Sequence, residues 1–503
     1  MAEHAAEVTP LRTDERTDGR ARVLIVAHGH PDIDRGGGEV AAYAQHRLLN
    51  GSDRFTSVFF ARHDEPWPVH PGTVFSGTGR AAEILMHSRT TDRFLFRQDD
   101  ERRVWREFRE VLDAVRPDIV HFHHYLHLGL ELLAEVRRWS ASVPILMTLH
   151  EYHAICHNDG LMVRTRDADL CDRATPARCA QCFTGRDEQD FTLRERYIKA
   201  FFEHVDRFVA PSRFLADRYT DWGIAPGRIT VMENVLPPEA ARPEASAAPA
   251  ATNETTWTTG MTGTTGVGER AGTAGRCEPD VAPGRCRLAV FGRLSDMKGT
   301  PLLLEALALL PRGTLDRLEM DIHGTGLERM PRRTRTRLVR AVRRLGPAVR
   351  LQGAYRQEEM QRLLDGVDWM VVPSRWWENS PVVILEAKRH GVPLITADIG
   401  GMAEKVVDGL TGWQFRAGDA RSLARTIERA VTCGPRHAIM AAHAARDWRP
   451  DEVAAAHLAL HDSARRLGER RHADAVAPPG ANGRDGTDGA HGTTTATPID
   501  RAA

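Results

Sequence analysis

Short apolar stretches alternate with helical patterns along both halves of the chain. Each stretch has the length of a β-strand rather than of a helix. The stretches that predict strands are ARVLIVAH, TSVFFA, DIVHFH, PILMTLH, DRFVAPS and RITVMEN in the first half, and CRLAVFG, EMDIHG, VRLQG, DWMVVPS and PLITA in the second. Because strands that alternate with helices usually form parallel sheets, the pattern predicts an α/β protein with one parallel sheet in each half.

Three segments lack this pattern. Residues 1–20 are polar, residues 237–285 are rich in Thr, Gly, Ala and Pro, and residues 467–503 are rich in Ala, Gly, Asp and Thr. The middle segment is too long for a loop inside a compact domain, so we interpret all three as disordered. They leave two domains of similar size, residues 21–236 and 286–466, and the ligands of such sheets bind at the carboxyl ends of the strands.

The charge balance argues against a nucleic-acid partner. Lys and Arg number 68 and Asp and Glu also number 68, so no overall field attracts polyanions. No apolar stretch is long enough to span a bilayer, and residues 1–20 lack the apolar core of a signal peptide, so we expect a cytoplasmic protein. The stretch RMPRRTRTRLVRAVRRLGPAVR is interpreted as a solvated helix face, with weak peripheral contact at the inner membrane face as the alternative.

The run VVPSRWWENSPVVILEAKRHG combines a phosphate-type helix start with two acidic residues. Ser380 suits the N-cap and Pro381 the first position of a helix that follows the strand DWMVVP. The first turn, which includes Val382, presents unpaired N–H groups and the positive end of the helix dipole, an arrangement that binds phosphate. Glu378 lies in the loop before this turn and Glu386 lies inside the helix, so one acid can face a sugar and the other a ribose.

Two other strand ends carry residues suited to the same ligand. Gly37 and Gly38 lie in a glycine run after the first strand, where they let the backbone approach a phosphate or a sugar closely. Arg293 and Lys298 follow the first strand of the second half, and two fixed cations can neutralise the charge of a departing diphosphate. Thr300, after them, suits the N-cap of the next helix. Taken singly, these residues are also consistent with ordinary turn glycines and surface charges.

Four of the seven cysteines lie within a short stretch that follows His150. They are Cys156, Cys171, Cys179 and Cys182, and they end in a C-x2-C pair. In a reducing cytosol, clustered cysteines indicate metal before disulfides, and four thiolates form a closed structural zinc site. The spacing differs from that of a standard zinc ribbon, so redox-active or unlinked thiols remain alternatives. We place this cysteine-bearing insertion at residues 151–185.

Together these residues resemble the family 4 glycosyltransferases. The string from Glu378 to Glu386 resembles that family's E-x7-E signature, and Gly292, Arg293, Lys298 and Gly299 resemble its G-R…K-G pattern. The resemblance covers roughly residues 20–235 and 285–465. It implies the GT-B fold, in which two Rossmann-like domains face each other across a cleft and the last helix packs back against the first domain.

The resemblance also implies a function. A family member transfers a sugar from a nucleotide diphosphate sugar to an acceptor hydroxyl, with retention at the anomeric carbon and without a metal cofactor for the chemistry. The residues that it implies for the diphosphate are Gly37, Gly38, Arg293, Lys298, Ser380, Pro381 and Val382. It implies that Glu386 binds the ribose and that Glu378 and His150 contact the transferred sugar. The acceptor stays open among a glycan, a lipid-linked intermediate and a secondary metabolite.

Three alternatives compete with this interpretation. A glycoside hydrolase needs two carboxylates that face each other across a glycosidic bond, which Glu378 and Glu386 do not match. A nucleotide-sugar epimerase and a non-catalytic, zinc-stapled nucleotide-binding protein remain open. One departure from the family pattern is the stretch 375–380, which replaces the common small, Gly-containing loop around the first acid. Its bulky Trp376 and Trp377 are expected to narrow the donor sugar pocket or to stack on it.

Overall fold

The computed structural model describes residues 19–33, 36–63, 73–237, 285–434 and 436–476. Its strands are β1 (Ala21–Ala27), β2 (Phe55–His63), β3 (Phe75–Ser76), β4 (Glu83–His87), β5 (Thr90–Asp92), β6 (Arg97–Gln98), β7 (Ile119–Phe122), β8 (Ile145–Thr148), β9 (Arg207–Ala210), β10 (Ile229–Val231), β11 (Cys286–Phe291), β12 (Leu318–His323), β13 (Val349–Gly353), β14 (Trp369–Val372), β15 (Leu394–Ala397) and β16 (Gly412–Phe415).

The helices follow the same alternation. They are α1 (Gly37–Asn50), α2 (Glu101–Val115), α3 (Glu131–Trp139), α4 (Pro176–Ala180), α5 (Glu188–Phe202), α6 (Arg213–Asp221), α7 (Thr300–Ala308), α8 (Arg312–Leu315), α9 (Arg332–Leu345), α10 (Met360–Leu364), α11 (Val382–Arg389), α12 (Gly400–Ala403), α13 (Ala420–Thr432), α14 (Arg436–Asp447) and α15 (Pro450–Val476).

The strands form two main sheets, one in each half. The first has the order β10-β9-β8-β7-β1-β2-β4-β3 and is parallel except for the antiparallel pair β3 and β4. The second has the order β13-β12-β11-β14-β15-β16 and all its pairs are parallel. Strands β5 and β6 form a separate antiparallel pair. The predicted α/β class with a parallel sheet in each half is confirmed.

Each sheet is sandwiched by helices through a large apolar core. In the second half, Trp369 of β14 and Trp413 of β16 are buried and their rings stack at 4.7 Å. Stacked aromatic rings of this size bury much apolar area and fix the spacing of the strands that carry them. The core therefore holds rigid the strand ends at which the predicted site residues lie.

The last helix crosses from the second half to the first. Ala464 of α15 belongs to the same apolar cluster as Ala21, Val23 and Ile25 of β1. His461 of α15 and His121 of β7 share a hydrogen bond of 3.2 Å. The helix continues to Val476, whereas we placed the start of a disordered tail at residue 467. The predicted end of the folded chain came too early, because the polar composition of this stretch gives no sign that it packs against the first sheet.

Two expectations concern membranes and tails. In the part of the chain that the structure describes, no helix combines the length and the apolar character needed to cross a bilayer. Helix α9 carries the predicted basic stretch and buries only Leu338 and Leu345, so its arginines lie mainly in solvent. Residues 1–18, 238–284 and 477–503, which hold most of the three segments predicted to be disordered, lie outside the described residues.

Candidate active site

Helices α1 and α11 begin close to each other at the carboxyl edges of the two sheets. A Cβ atom on Gly37, the first residue of α1, would lie 3.4 Å from a methyl group of Val382, the first residue of α11. A Cβ on Gly38 would lie 3.5 Å from the His150 ring. The structure thus brings Gly37, Gly38, His150 and Val382 together, and two helix N-termini meet at one place.

Glu378 lies in the loop between β14 and α11 with its side chain 6% exposed. Its Oε1 atom accepts hydrogen bonds from Lys298 Nζ at 2.5 Å, Ser374 Oγ at 2.7 Å and Trp376 Nε1 at 2.9 Å. One cationic and two neutral donors on a single oxygen hold the carboxylate in a fixed direction. The structure therefore joins two of the predicted site residues, Glu378 and Lys298, in an ion pair.

Glu386 lies within α11 and is buried. Burial raises its pKa to about 7, although the hydrogen bond from Gln357 Nε2 and the charge of Arg389 act in the opposite direction. A carboxyl group with this pKa is divided between its neutral and ionised forms near neutral pH. Ligand hydroxyl groups that donate to it would shift this balance.

His150 follows β8 and lies beneath α1. Its Nε2 shares a hydrogen bond of 3.1 Å with His123 Nδ1, and its backbone oxygen accepts from Asn379 Nδ2 at 2.6 Å. Burial lowers the pKa of His150 to about 4, so the ring is neutral at physiological pH. A neutral ring in this position can orient a ligand by hydrogen bonding without adding charge.

Arg293 and Lys298 lie on the loop between β11 and α7. The Arg293 side chain is exposed and, within the described residues, forms no ion pair, whereas Lys298 is engaged by Glu378. Glycine is required in this loop at Gly299, which adopts φ 75° and whose Cβ would lie 1.8 Å from the Pro373 oxygen. The loop therefore packs directly against the residues before Glu378.

Two local predictions about helix starts were wrong. Helix α11 begins at Val382 with Pro381 as its N-cap, so Ser380 does not cap it. Ser380 Oγ instead donates to Glu233 Oε1 at 2.5 Å, and Lys405 Nζ donates to Glu233 Oε2 at 2.6 Å. Helix α7 likewise begins at Thr300 after Gly299, so Thr300 is its first residue rather than its cap. In both cases a contact made by the preceding loop overrides the local capping preference.

Comparison with known families agrees with this arrangement. The model described as "Glycosyltransferase Family 4" matches residues 35–240, and the model described as "Glycosyl transferases group 1" matches residues 281–447. This chain belongs to the family 4 glycosyltransferases.

A curated relative and two solved structures extend the comparison. Glycogen synthase from Mycobacterium tuberculosis is 34% identical over 197 residues, which are 37% of this chain and 45% of that protein. This chain thus spans between about a third and just under half of the length of the first curated relatives that it matches. The Anabaena HepE structure in complex with UDP-glucose has a TM-score of 0.56 and 14% identity, and covers 88% of this chain and 99% of that chain. Sucrose-phosphate synthase from Thermosynechococcus elongatus has a TM-score of 0.61 and 17% identity, and covers 90% of this chain and 100% of that one. The fold of this family 4 glycosyltransferase is therefore GT-B, as the resemblance implied.

The cysteine-bearing insertion lies beside the loop that carries Glu378. Cys156, Cys171, Cys179 and Cys182 line one cavity, and Trp377 Nε1 donates to the Cys171 oxygen at 3.1 Å. Burial raises the pKa of Cys156 to about 11 and that of Cys179 to about 12. Raised pKa values keep these two thiols protonated at neutral pH.

The two tryptophans of this loop point in different directions. Trp376 contacts Glu378 and lies over Lys298, with Nζ 5.4 Å from the ring centroid. The Trp377 ring instead packs on Phe214 of α6, 4.9 Å between centroids. Trp377 therefore contacts the first domain, and the expectation that the two tryptophans narrow the sugar pocket or stack on it stays a prediction.

One group of histidine and glutamate side chains has the spacing of metal ligands. Among the described residues, only His124, Glu151 and His153 bring three ligand atoms within 4.8 Å of one another. His124 Nδ1 accepts the backbone N–H groups of Tyr125 and Leu126, so the ring proton lies on Nε2, which faces Glu151 Oε1 at 3.1 Å. A metal bound at Nε2 would require the ring proton to lie on Nδ1. There it would face two backbone N–H groups that need an acceptor. The geometry therefore favours a hydrogen-bonded cluster over a metal site.

Sequence reasoning missed the residues that join the two domains. Asn379 is the clearest case, since its Nδ2 donates to the His150 oxygen and its Oδ1 accepts from Tyr152 at 2.6 Å. Glu404 is another, because it accepts the backbone N–H groups of Arg213 and Phe214 at the start of α6. Asn379 lies inside the motif that we singled out, but nothing in the sequence shows which distant backbone group it meets.

Proposed function

We propose that this chain transfers a sugar from a nucleotide diphosphate sugar to an acceptor hydroxyl, with retention at the anomeric carbon and without a metal ion for the chemistry. The observation that carries the proposal is the meeting of Gly37, Gly38, His150 and Val382 at two helix N-termini, next to the Lys298–Glu378 ion pair. In support, HepE, which shares the fold, was solved with UDP-glucose.

The donor diphosphate would lie between the starts of α1 and α11. The positive ends of two helix dipoles face that position and favour an anion. Gly37 and Gly38 carry no side chain that would block the approach. The exposed Arg293 guanidinium can turn to the same anion, while Lys298 can donate to a phosphate and keep its bond to Glu378 because an ammonium group has three protons.

Glu378 and His150 would act on the transferred sugar. As the bond to the diphosphate lengthens, positive charge develops at the anomeric carbon, and a fixed carboxylate nearby lowers the energy of that state. The charge that leaves with the diphosphate is met by Lys298 and Arg293, the role that a metal ion plays in other transferases. His150 stays neutral and positions a sugar hydroxyl.

Binding and transfer can be tested in sequence on the purified protein. Thermal melting with a panel of nucleotides and nucleotide sugars should show stabilisation by one nucleotide class, about 2.7 kcal/mol at one hundred times the dissociation constant. The stabilisation should be lost in Arg293→Ala and Glu386→Ala. Arg312→Ala, an exposed arginine on α8, is the matched control and should keep it.

Product analysis then separates the alternatives. Transfer to an acceptor with the donor's anomeric configuration, in the presence of EDTA, supports the proposal. Release of an altered free sugar without any acceptor would indicate an epimerase instead. Nucleotide binding that is unchanged in Glu378→Ala, with no turnover by the wild-type protein on any donor and acceptor pair, would leave a binding protein as the function.

A further inference from the structure

The cysteine-bearing insertion gathers its four thiols around one cavity although they come from different local structures. Cys156 lies in a turn, and its backbone N–H donates to the Tyr152 oxygen at 2.8 Å. Cys171 follows an antiparallel bridge between Val163 and Leu170, and Cys179 lies on α4. Cys182 closes the set, with its N–H donating to the Cys179 oxygen at 2.9 Å. No local element by itself requires four cysteines here.

All four cysteines line the cavity, and no other cysteine of the described chain lines it. Each of the four is only partly buried, and none is in a disulfide. The sulfurs are spaced more widely than metal ligands, because no three of them come within 4.8 Å of one another. Closure of the thiols around an ion would use rotation about χ1, which moves a sulfur between staggered positions without moving the backbone.

We propose that Cys156, Cys171, Cys179 and Cys182 bind one structural Zn²⁺ as a closed tetrathiolate site. Four thiolates satisfy the tetrahedral preference of zinc and leave no open position for catalysis. Binding releases the thiol protons to solvent and involves no change of oxidation state. An iron–sulfur cluster uses the same ligands, but no electron-transfer step accompanies the proposed reaction, so zinc is the ion that we assign.

The site has a direct structural connection to the active-site loop. Trp377 donates to the backbone oxygen of Cys171, and its ring packs on Phe214. Arg218, which lies on α6 like Phe214, also holds the insertion to that helix. It donates to the Asp172 oxygen and lies 5.3 Å from the Phe214 ring centroid. Zinc would fix Cys171, hence Trp377, and hence the neighbouring Glu378. This step concerns loop order and stands whether or not sugar transfer is the reaction.

The metal content of the full chain tests the site directly. Protein purified with a reducing agent and without chelators should contain one zinc per chain by mass spectrometry of the metal. Cys179→Ser and Cys182→Ser should each lose it, and Cys433→Ser, a buried cysteine outside the cavity, should keep it. Stoichiometric iron with sulfide, or reduced protein that takes up no zinc when ZnCl₂ is added, would overturn the proposal.

Hydrogen exchange tests the connection without relying on activity or on variants that fail to fold. Removal of zinc from the wild-type protein should speed exchange both in residues 156–182 and in residues 374–380. In Trp377→Phe, which keeps a ring against Phe214 but loses the indole N–H, zinc should still bind and its removal should speed exchange only in the insertion. Equal effects on the loop in both proteins would show that Trp377 does not carry the connection.

Discussion

At the scale of the residue, the donors to Glu378 all converge on one oxygen. Oε1 accepts from Lys298, Ser374 and Trp376, and no described residue donates to Oε2. The carboxylate is therefore held by one oxygen while the second remains available to a ligand. This division makes a carboxamide an informative replacement, since it keeps the shape and removes the charge.

Glu378→Gln should lower kcat by about 10²–10³, because the loss of one preorganised electrostatic contact in a closed site has about that effect. The dissociation constant of the nucleotide should change by less than about threefold, since the interaction operates in the transition state. Steady-state kinetics with calorimetry of nucleotide binding provide both values. A parallel loss in nucleotide affinity would assign Glu378 to ground-state binding instead.

Glu386 makes donor binding dependent on pH. Its folded pKa is raised to about 7 by burial, so the ionised form is disfavoured in the free protein below that pH. Ribose hydroxyls that donate to the carboxylate favour the ionised form, and binding then lowers the pKa. Affinity for a nucleotide sugar should rise as the pH increases toward 7 and should level off above it, by about tenfold for each pKa unit that binding removes.

The sign for stability is the opposite. Because the folded pKa lies above the ordinary value of 4.5, the native state holds the proton more tightly and stability falls as the pH rises from about 4.5 to about 7. Glu386→Gln should remove both dependences. Titration calorimetry and thermal melts across this range provide the measurements, and a pH-dependent affinity that persists in the variant would assign it to another group.

At the scale of the element, the short helix α12 fits against both domains only because it begins with glycine. A Cβ on Gly401 would lie 2.0 Å from the Asn379 oxygen and 2.5 Å from Ser212 Oγ, the residue that caps α6. Helix α12 thus contacts the start of α6 in the first domain and the Glu378 loop of its own domain, with no space for a further side chain. The contact fixes the distance between the domains.

Gly401→Ala should displace the Asn379 loop and lower stability by about 1–3 kcal/mol, the range for overpacking in a closed contact. Gly313→Ala is the control, since a Cβ on Gly313 of α8 meets nothing within 4 Å. That substitution should be neutral or stabilise by up to about 1 kcal/mol. Denaturant unfolding of both variants measures the difference. Equal stabilities would show that the structure around Gly401 adjusts to the added methyl group with no loss of stability.

The elements also show what sequence reasoning can reach. Apolar stretches such as ARVLIVAH and CRLAVFG identified β1 and β11, because a strand buried on both faces needs a continuous apolar run. The strands β4 and β16 were missed, since EILMH and GWQF are short, and polar residues bound or interrupt their apolar runs. Ser380 and Thr300 carry good capping chemistry, but contacts with Glu233 and with the preceding loop decide their positions. Pairings of this kind depend on the folded chain.

The sequence predicted the candidate site from the types of residue that follow its strands. It did not predict which of these residues contact each other. Glycines, cations and acids at the carboxyl ends of parallel strands must gather at one edge, and Gly37, Val382 and His150 do so. The ion pair between Lys298 and Glu378 joins residues that are 80 positions apart. Sequence spacing carries no information about such a pair.

At the scale of the whole molecule, α15 completes the first domain with residues from the end of the described chain. Arg471 donates to Asp206 at 2.6 Å, and Gly468 lies against Pro144, where a Cβ would approach the ring to 2.9 Å. His461 and Ala464 meet β7 and β1. The first domain is therefore built from two distant parts of the sequence.

Removal of residues 450–503 should expose the apolar face that Ala464 covers and should cause aggregation or a strong loss of thermal stability. Removal of residues 467–503 should have an intermediate effect, because it deletes the Arg471 contact but keeps His461. Removal of residues 477–503 alone should leave melting unchanged. Light scattering and thermal melts measure the series, and an unchanged first truncation would show that α15 adds no stability.

The return of α15 also orders events during synthesis. The ribosome makes β1 to β10 first and Ala464 roughly 230 residues later, so at about 5–20 residues per second the first sheet waits on the order of tens of seconds for its last component. During that interval an apolar face around Ala21 and Val23 has no cover from the helix that will bury it. We therefore expect a nascent chain of this protein to be a substrate for chaperones until the second domain has been translated.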